Sequence, residues 1–586
     1  MRRKSVLACL AASTVLAMTT AVVQSAPGNA APLAQTGAAA ASSLAAASGG
    51  SQYVVLYKEG QTPAAARAAI TLAGGRIVKE NKIGFALATS ADPAFAAKVD
   101  ASGVVEGAVR DRIIGVAPKA TRARAADLER LTAERNAAKG TGGQSDATAS
   151  AASRTSAPAP EPLASRQWDM AQIGATSTGS YAKNPGSRKV KVGIIDTGID
   201  GTHPDIAPNF DSKLSRNFVT DIPSIDGPCE HPSCVDPANE DDDGHGTHVA
   251  STIGSPVNGL GMAGVAPNVT LVNIRAGQDS GYFFLQSTLE ALVYAGDIGV
   301  DVVNMSFYTD PWLFNCLSNP ADSPAEQAEQ KVIREATQRA INYAIAHGVL
   351  PIAAAGNEST DLGNPTSDAT SPDFPGGTER LRVIDNSCIS VPAESNGVVV
   401  VSSTGPSTRM AYYSNYGTEQ TDIAAPGGDA YDTPGNTRSE LGLVLAAYPA
   451  SLALLNGDID EAGGVPNNPF VVRDCKGTTC AYYQYLQGTS MAAPHAVGVA
   501  ALIVSRFGHT DKRNGGIGLA PSSTKAHLFS TATAHACPTP RLFGYTRILL
   551  SGAVVQSEAF CAGPKQDNGF YGHGIVNAFA AVAARG

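Results

Sequence analysis

Three short strings in this chain carry the residue types of nucleophilic catalysis. The first is Ile195-Asp196-Thr197-Gly198, where a carboxylate follows an apolar run. The second is Asp243-Gly244-His245-Gly246-Thr247-His248-Val249-Ala250, an imidazole between two glycines at the start of an apolar stretch. The third is Gly488-Thr489-Ser490-Met491-Ala492-Ala493-Pro494-His495, a hydroxyl just ahead of a long Ala-rich segment. Together they could arm a serine: the imidazole takes the hydroxyl proton and the carboxylate orients the imidazole. A fourth string, Ala354-Ala355-Gly356-Asn357, ends another apolar run, and an Asn amide there can donate to a developing oxyanion. Each string alone has a plainer reading. Asp196 is then a turn aspartate, His245 a structural histidine, Ser490 or Thr489 an N-cap, and Asn357 a turn residue. His245 and His248 also have a spacing that suits a metal pair, but the glutamate of a His-Glu-x-x-His motif is missing between them.

These residues need elements to place them. The apolar runs 190–195, 269–274, 300–305, 348–355 and 398–402 read as strands. Segments 248–253, 285–296 and 328–346 read as helices between them. Continuous apolar strands alternating with helices imply a parallel sheet covered on both faces. Open sheets of this kind carry functional groups at the carboxyl ends of their strands, where Asp196 and Asn357 fall. Residues 491–505 form a further, buried helix. Ser490 then sits at its N-terminal end, where unpaired N–H groups and the helix dipole favour negative charge. The expected fold class is α/β, a doubly wound parallel sheet with helices on both faces, over residues 163–586.

Ahead of it, residues 51–116 form a separate unit. Strands are expected at 52–57, 76–78, 84–88 and 104–109. Helices are expected at 63–72, opened by Thr62 as cap and Pro63 in the first turn, and at 95–99. The order β-α-β-β-α-β is that of a small ferredoxin-like α+β domain. Residues 117–162, rich in Ala, Arg, Thr, Ser and Pro, read as a linker with a candidate charged helix at 122–138. Residues 31–50 are Ala/Ser/Gly-rich low-complexity sequence. Residues 1–30 have a basic start, a short apolar run and Gly28-Asn29-Ala30, the pattern of a secretory signal peptide. Arg2-Arg3 lacks the rest of a twin-arginine motif, and Cys9 has too little apolar sequence before it for a lipoprotein signal. No later stretch is read as long and apolar enough to span a bilayer.

Hydrophobic residues make up 43% and charged residues 16% of the 586, enough for large buried cores. A net charge of -9 argues against nucleic-acid binding. Without Cys9, the nine cysteines become eight, an even number that suits disulfides in an exported chain. Cys229/Cys234 and Cys475/Cys480 are close enough for local loops. Nearest-neighbour pairing adds Cys316–Cys388 and Cys537–Cys561, among about 105 possible connectivities. None of these pairs has the neighbouring ligands of a zinc site.

Taken together, Asp196, His245 and Ser490, in that order and in those strings, resemble the subtilisin family of serine proteases. Val303-Asn304-Met305-Ser306, Ser414-Asn415-Tyr416-Gly417, Ala424-Ala425-Pro426-Gly427 and Gly572-His573-Gly574-Ile575-Val576-Asn577-Ala578 are similar to further strings of that family. The resemblance runs from about residue 167 to the C-terminus. It implies Ser490 as nucleophile, His245 as general base and acid, Asp196 as its partner, and Asn357 with the Ser490 N–H as oxyanion hole. It implies that Ser306, Phe307, Tyr308, Ala355 and Gly356 line the substrate cleft, and that residues 51–116 are an inhibitory propeptide. The chain departs from the family at Phe307-Tyr308-Thr309, where Leu-Gly-Gly is usual. Tyr308 is expected to narrow the primary pocket and favour small or medium side chains. Residues 429–487 are longer than usual. No cofactor is required for this chemistry. Many members bind structural calcium, but no metal ligand is assigned; Glu240, Asp241 and Asp242 are read as a solvated loop. The expected function is a secreted serine endopeptidase, extracellular and made as a zymogen. Its expected partners are protein and peptide substrates and its own propeptide, with no nucleic acid, no membrane and a monomeric state. The alternative is an inactive scaffold serving as a secreted binding module.

Overall fold

The computed structural model describes residues 51–111, 160–466 and 468–583. The signal peptide, the low-complexity stretch and the 122–138 helix expected from sequence lie outside these residues. So does nearly all of the 117–162 linker.

The centre of the molecule is a seven-stranded sheet. Its order is Ile423–Pro426, Val399–Thr404, Leu350–Ala354, Val302–Met305, Lys191–Ile195, Thr270–Arg275 and Arg216–Asn217. Every pairing is parallel. Strand side chains alternate between faces, so each strand feeds two cores. Val192, Ile194, Val302, Ile352 and Val401 join the cluster that holds the helices His245–Gly254 and Thr489–Phe507. Ile195, Val303, Met305 and Ala353 join the opposite cluster, with the helices Leu285–Ile298 and Pro324–Ala346. Burial on both sides is why these strands read as unbroken apolar runs rather than as alternations. Pro324–Ala346 starts four residues earlier than expected, because Ser323 and Glu326 close a capping box and Pro324 opens the first turn.

Strand Lys191–Ile195 pairs with Thr270–Arg275 on one side and Val302–Met305 on the other. The chain therefore reverses its direction of travel across the sheet there. That point, at the carboxyl edge, is where open α/β sheets leave a crevice.

The leading unit has strands Ser51–Tyr57, Arg76–Asn81, Phe85–Ser90 and Val105–Arg110, and helices Pro63–Leu72 and Phe95–Asp100. This is the β-α-β-β-α-β order, in a sheet arranged second, third, first, fourth. Thr62 Oγ1 accepts from Ala65 N at 3.3 Å, with Pro63 in the first turn. Tyr53, Val55 and Tyr57 face the unit's own helices. Val54, Leu56, Phe85 and Val109 face outward onto Val332, Ile333 and Ala336 of helix Pro324–Ala346. One face of this small sheet is thus covered only by the large domain.

The structure pairs Cys229–Cys234, Cys316–Cys388, Cys475–Cys480 and Cys537–Cys561, as nearest-neighbour reasoning expected. Three readings are corrected. Glu161 belongs to the large domain rather than the linker: its carboxylate accepts from Gly259 N at 2.8 and 3.1 Å, and Leu163 N donates to Gly261 O at 2.7 Å. Helix Thr489–Phe507 is, by length and composition, long and apolar enough to cross a membrane, contrary to the expectation that no later stretch is; its residues are packed into the core. Asp241 is not solvated, as described below.

Candidate active site

Asp196 follows the strand at the reversal point and is fully buried. Its backbone carbonyl accepts from Ala276 N and Gly277 N at 3.0 and 3.1 Å, which fixes the turn. Its Oδ1 accepts from Thr197 N at 2.8 Å and meets His245 Nδ1 at 2.7 Å. A carboxylate on Nδ1 holds the proton there and makes Nε2 the basic ring nitrogen. Burial pushes the Asp196 carboxyl above its ordinary range, and the neighbouring His245 opposes this.

His245 is the first residue of its helix. Two glycines make that position possible. Gly244 precedes it with φ +93°, a left-handed conformation that L side chains resist. A Cβ on Gly246 would lie 2.1 Å from Gly198 O and 3.0 Å from Asp196 Cβ. The helix can approach Asp196 only because that atom is absent.

Asp241 fastens the two pieces together, a role that sequence reasoning missed. It is 3% exposed. Its Oδ1 accepts from Thr197 Oγ1 at 3.0 Å and Gly244 N at 2.9 Å. Its Oδ2 accepts from Thr247 N at 2.9 Å and Thr247 Oγ1 at 2.6 Å. The carboxylate so meets the open N–H groups of the histidine helix and its positive dipole end. The available signal was an aspartate just ahead of an apolar helix that carries threonine in its first turn.

Ser490 lies in the first turn of helix Thr489–Phe507, which packs against the histidine helix. Its Oγ donates to Ser306 O at 3.3 Å. Pro494, inside this helix, has no N–H for the Ser490 carbonyl. Ser306 Oγ donates to that carbonyl instead, at 3.1 Å, and itself accepts from Asn304 Nδ2 at 2.9 Å. The proline thus frees a carbonyl with which strand Val302–Met305 and its following residue hold the serine in place.

Asn357 follows strand Leu350–Ala354. Its Oδ1 accepts from Thr489 N at 2.8 Å and from Thr489 Oγ1 at 2.9 Å. Both partners donate, so the amide orientation is settled: the oxygen faces Thr489 and the NH₂ points elsewhere, able to donate. Thr489 Oγ1 also accepts from Gly356 N at 3.0 Å. Asn415 clamps the same turn, donating to Ala355 O at 3.0 Å and accepting from Glu358 N and Thr360 N at 3.1 and 2.8 Å.

The remaining expected cleft residues divide. Ser306, Ala355 and Gly356 are tied to the serine helix or its surroundings by the bonds above. Phe307 stacks on Phe283 with ring centroids 4.1 Å apart. Tyr308 packs on the cluster of Leu313, Phe314, Leu362 and the Cys316–Cys388 bridge, and its hydroxyl donates to Asp373 Oδ2 at 2.5 Å. The histidine metal pair does not form. His248 Nε2 faces the carbonyls of Val444 and Gln484, both at 3.2 Å, and burial pushes its pKa down to about 3. Among the described residues, the groups with converging metal-ligand atoms lie in residues 221–279; one of them joins His231 to Asp236 and Glu240, and none includes His245 or His248.

The region thus combines a carboxylate–imidazole pair at a sheet reversal, a helix-borne serine and an oriented amide. The Subtilase family model matches residues 187–574, and the chain belongs to that family. It is a serine endopeptidase. It is 28% identical over 344 residues to Subtilisin DY of Bacillus licheniformis, covering 59% of this chain and 84% of that protein. It is 28% identical over 326 residues to the Major intracellular serine protease of Bacillus subtilis strain 168, covering 56% of this chain and 71% of that one. Two solved structures share the fold. One is the Epidermin leader peptide processing serine protease from Staphylococcus aureus, with TM-score 0.56, 22% identity, and 92% of this chain and 100% of that chain covered. The other is fervidolysin from Fervidobacterium pennivorans, with TM-score 0.53, 20% identity, and 91% of this chain and 61% of that chain covered.

Proposed function

We propose that this enzyme is a secreted endopeptidase of extracellular proteins, working through Asp196, His245 and Ser490 and made as a zymogen. The 2.7 Å contact between Asp196 Oδ1 and His245 Nδ1 carries the reading. Ser490 Oγ attacks the peptide carbonyl as His245 Nε2 takes its proton. The oxyanion is held by Asn357 Nδ2 and the Ser490 N–H, which lies in the first turn of its helix with no carbonyl four residues back. His245 then hands the proton to the leaving amine, and water, activated by the same ring, releases the acyl group from Oγ. Asp196 orients the ring and stabilises the imidazolium. Four disulfides support an oxidising, extracellular setting. Residues 51–111, seated on the helices Leu285–Ile298 and Pro324–Ala346, serve as the propeptide.

A fluorophosphonate probe tests this. It should label the mature enzyme on Ser490. Ser490→Ala and His245→Ala should each abolish labelling and lower kcat by at least about 10⁴, with an unchanged circular dichroism spectrum. An unlabelled Ser490 in a folded wild-type protein would instead mean an inactive binding scaffold.

A further inference from the structure

Two carboxyls meet behind Tyr308, one of the residues at which the chain departs from its family. The Tyr308 hydroxyl donates to Asp373 Oδ2 at 2.5 Å. Asp373 Oδ1 is buried and receives no N–H or hydroxyl donor. The Asp310 carboxyl, on a residue 6% exposed, lies in hydrogen-bond contact with that of Asp373. The backbone holds the two together: Asp373 N donates to Pro311 O at 3.1 Å, and Asp310 N donates to Phe283 O at 2.9 Å. Asp310 Oδ2 accepts from Phe283 N at 2.5 Å.

Among the described residues, no lysine, arginine or histidine neutralises either carboxyl. The groups that face them are Tyr308, Tyr282, Glu358, Asp368 and Glu379, and Asp368 is itself paired with Arg382. On the side of the leading unit, Asp310 lines a small cavity with Arg110, Asp111 and Glu329. Two carboxyls in contact, with no cation between them, do not both ionise near neutral pH; one keeps its proton and donates it to the other. Burial, and then the Asp373 charge, push Asp310 well above the ordinary carboxyl range. Asp310 is therefore the acid. Its proton supplies the donor that Asp373 lacks, while Tyr308 supplies the other.

We propose that Asp310 and Asp373 share one proton and thereby position the Tyr308 ring in the wall of the pocket for the side chain before the cut bond, so that the enzyme's preference at that position depends on pH. This rests on the peptidase reading above and on Tyr308 as that wall. While the proton is held, Asp373 is fixed from two sides and the tyrosine cannot tilt, so large side chains are excluded. Once it is lost, two negative carboxylates repel. Asp373, the less buried of the two, then moves and takes Tyr308 with it. A carboxyl raised above its ordinary range keeps its proton at neutral pH and loses it in alkali. The preference for small side chains is therefore greatest at neutral pH and falls as pH rises.

The test uses the mature enzyme and paired peptides that differ only in Ala or Phe before the cut bond. The ratio of their kcat/KM values cancels the titration of His245, which both substrates share. From pH 7 to pH 10 the Ala-over-Phe ratio should fall about tenfold. In Asp310→Asn the amide oxygen can accept from Phe283 N and the NH₂ can donate to Asp373, with no proton to lose. Its ratio should match the wild type at pH 7 and stay level to pH 10. Tyr308→Phe, which lacks the hydroxyl, should give a low ratio at every pH. Should Asp310→Asn not fold, the wild-type slope and its loss in Tyr308→Phe decide the matter. Independently, the infrared spectrum of the full-length Ser490→Ala protein at pH 7, minus that of its Asp310→Asn form, should show a protonated-carboxyl stretch. A wild-type ratio that ignores pH, the same slope in Asp310→Asn, or no such band would overturn the proposal. Peptides left uncut by folded wild-type enzyme would sink the peptidase reading instead, and the infrared band would still decide the shared proton.

Discussion

Thr489 uses one hydroxyl twice, donating to Asn357 Oδ1 and accepting from Gly356 N. Its backbone N–H makes a second bond to the same Asn357 oxygen. In Thr489→Val the backbone bond remains, but the amide is free to rock. kcat should fall about tenfold with KM nearly unchanged, because the oxyanion contact is strongest in the transition state. That is less than the about 10²–10³ which loss of one oxyanion donor costs in subtilisin, the loss to expect for Asn357→Ala. Thr489→Ser, which keeps the hydroxyl, should restore the rate. A change confined to KM in Thr489→Val would show that the hydroxyl does not orient Asn357. Asp196, His245, Ser490 and Asn357 could be proposed from the sequence because each sits in a local string whose neighbours report its setting. Asp241 and Thr489 were not, since their meaning lies in partners such as Thr197 and Asn357, far away in the chain.

Elements were legible where burial is symmetrical. Five of the seven central strands and their helices appear close to their expected bounds, because an apolar run closed by Gly or Asp leaves few alternatives; the short edge strands Arg216–Asn217 and Ile423–Pro426 were not read as strands. The hairpins Leu542–Ile548/Val554–Phe560 and Val471–Lys476/Thr479–Leu486 escaped notice. Their outer strands are mostly exposed and carry mixed sequence, so pairing rather than composition makes them strands. Cys475 and Cys480 face each other across the second hairpin, closing a loop of sequence separation 5, against 72 for Cys316–Cys388. On chain entropy alone, the longer loop gains about 2 kcal/mol more. That bridge also backs Tyr308, whose ring and hydroxyl are both engaged. Tyr308→Gly removes a wall, and kcat/KM for substrates with Phe before the cut bond should rise more than for those with Ala. Equal changes for both would show that Tyr308 does not bound that pocket.

Residues 51–111 and the large domain complete each other's cores, so the Ser490→Ala protein, made in a host without extracellular proteases, should keep residues 52–109 covalently attached. Finding it already cut would exclude self-processing. Asp111, at the end of the last strand, adds a pH term. It is buried between Val109, Leu285, Asp310, Glu329 and Ile333. Burial pushes its pKa up to about 7, the Gln286 N–H opposes this, and Glu290, paired with Lys79, adds to it. A carboxyl raised in the bound state strengthens binding only while protonated. Its contribution is complete below the ordinary carboxyl range, declines as pH rises, and is gone above about 7. Once cut, the segment should dissociate faster at pH 8 than at pH 5, as followed by the onset of peptidase activity, and Asp111→Asn should flatten that difference. The rest of the attachment has a different sensitivity. Lys79–Glu290, Lys82–Asp297, Lys331–Glu106 and Arg339–Glu59 all bridge the two parts with at least one partner well exposed. Such pairs are weakened by dissolved ions, whose screening distance shrinks from about 30 Å at 0.01 M to about 8 Å at 0.15 M. An enzyme released into dilute water would stay leashed longer than the same enzyme released into brine, so the saltiness of its surroundings would help set how soon it begins to cut.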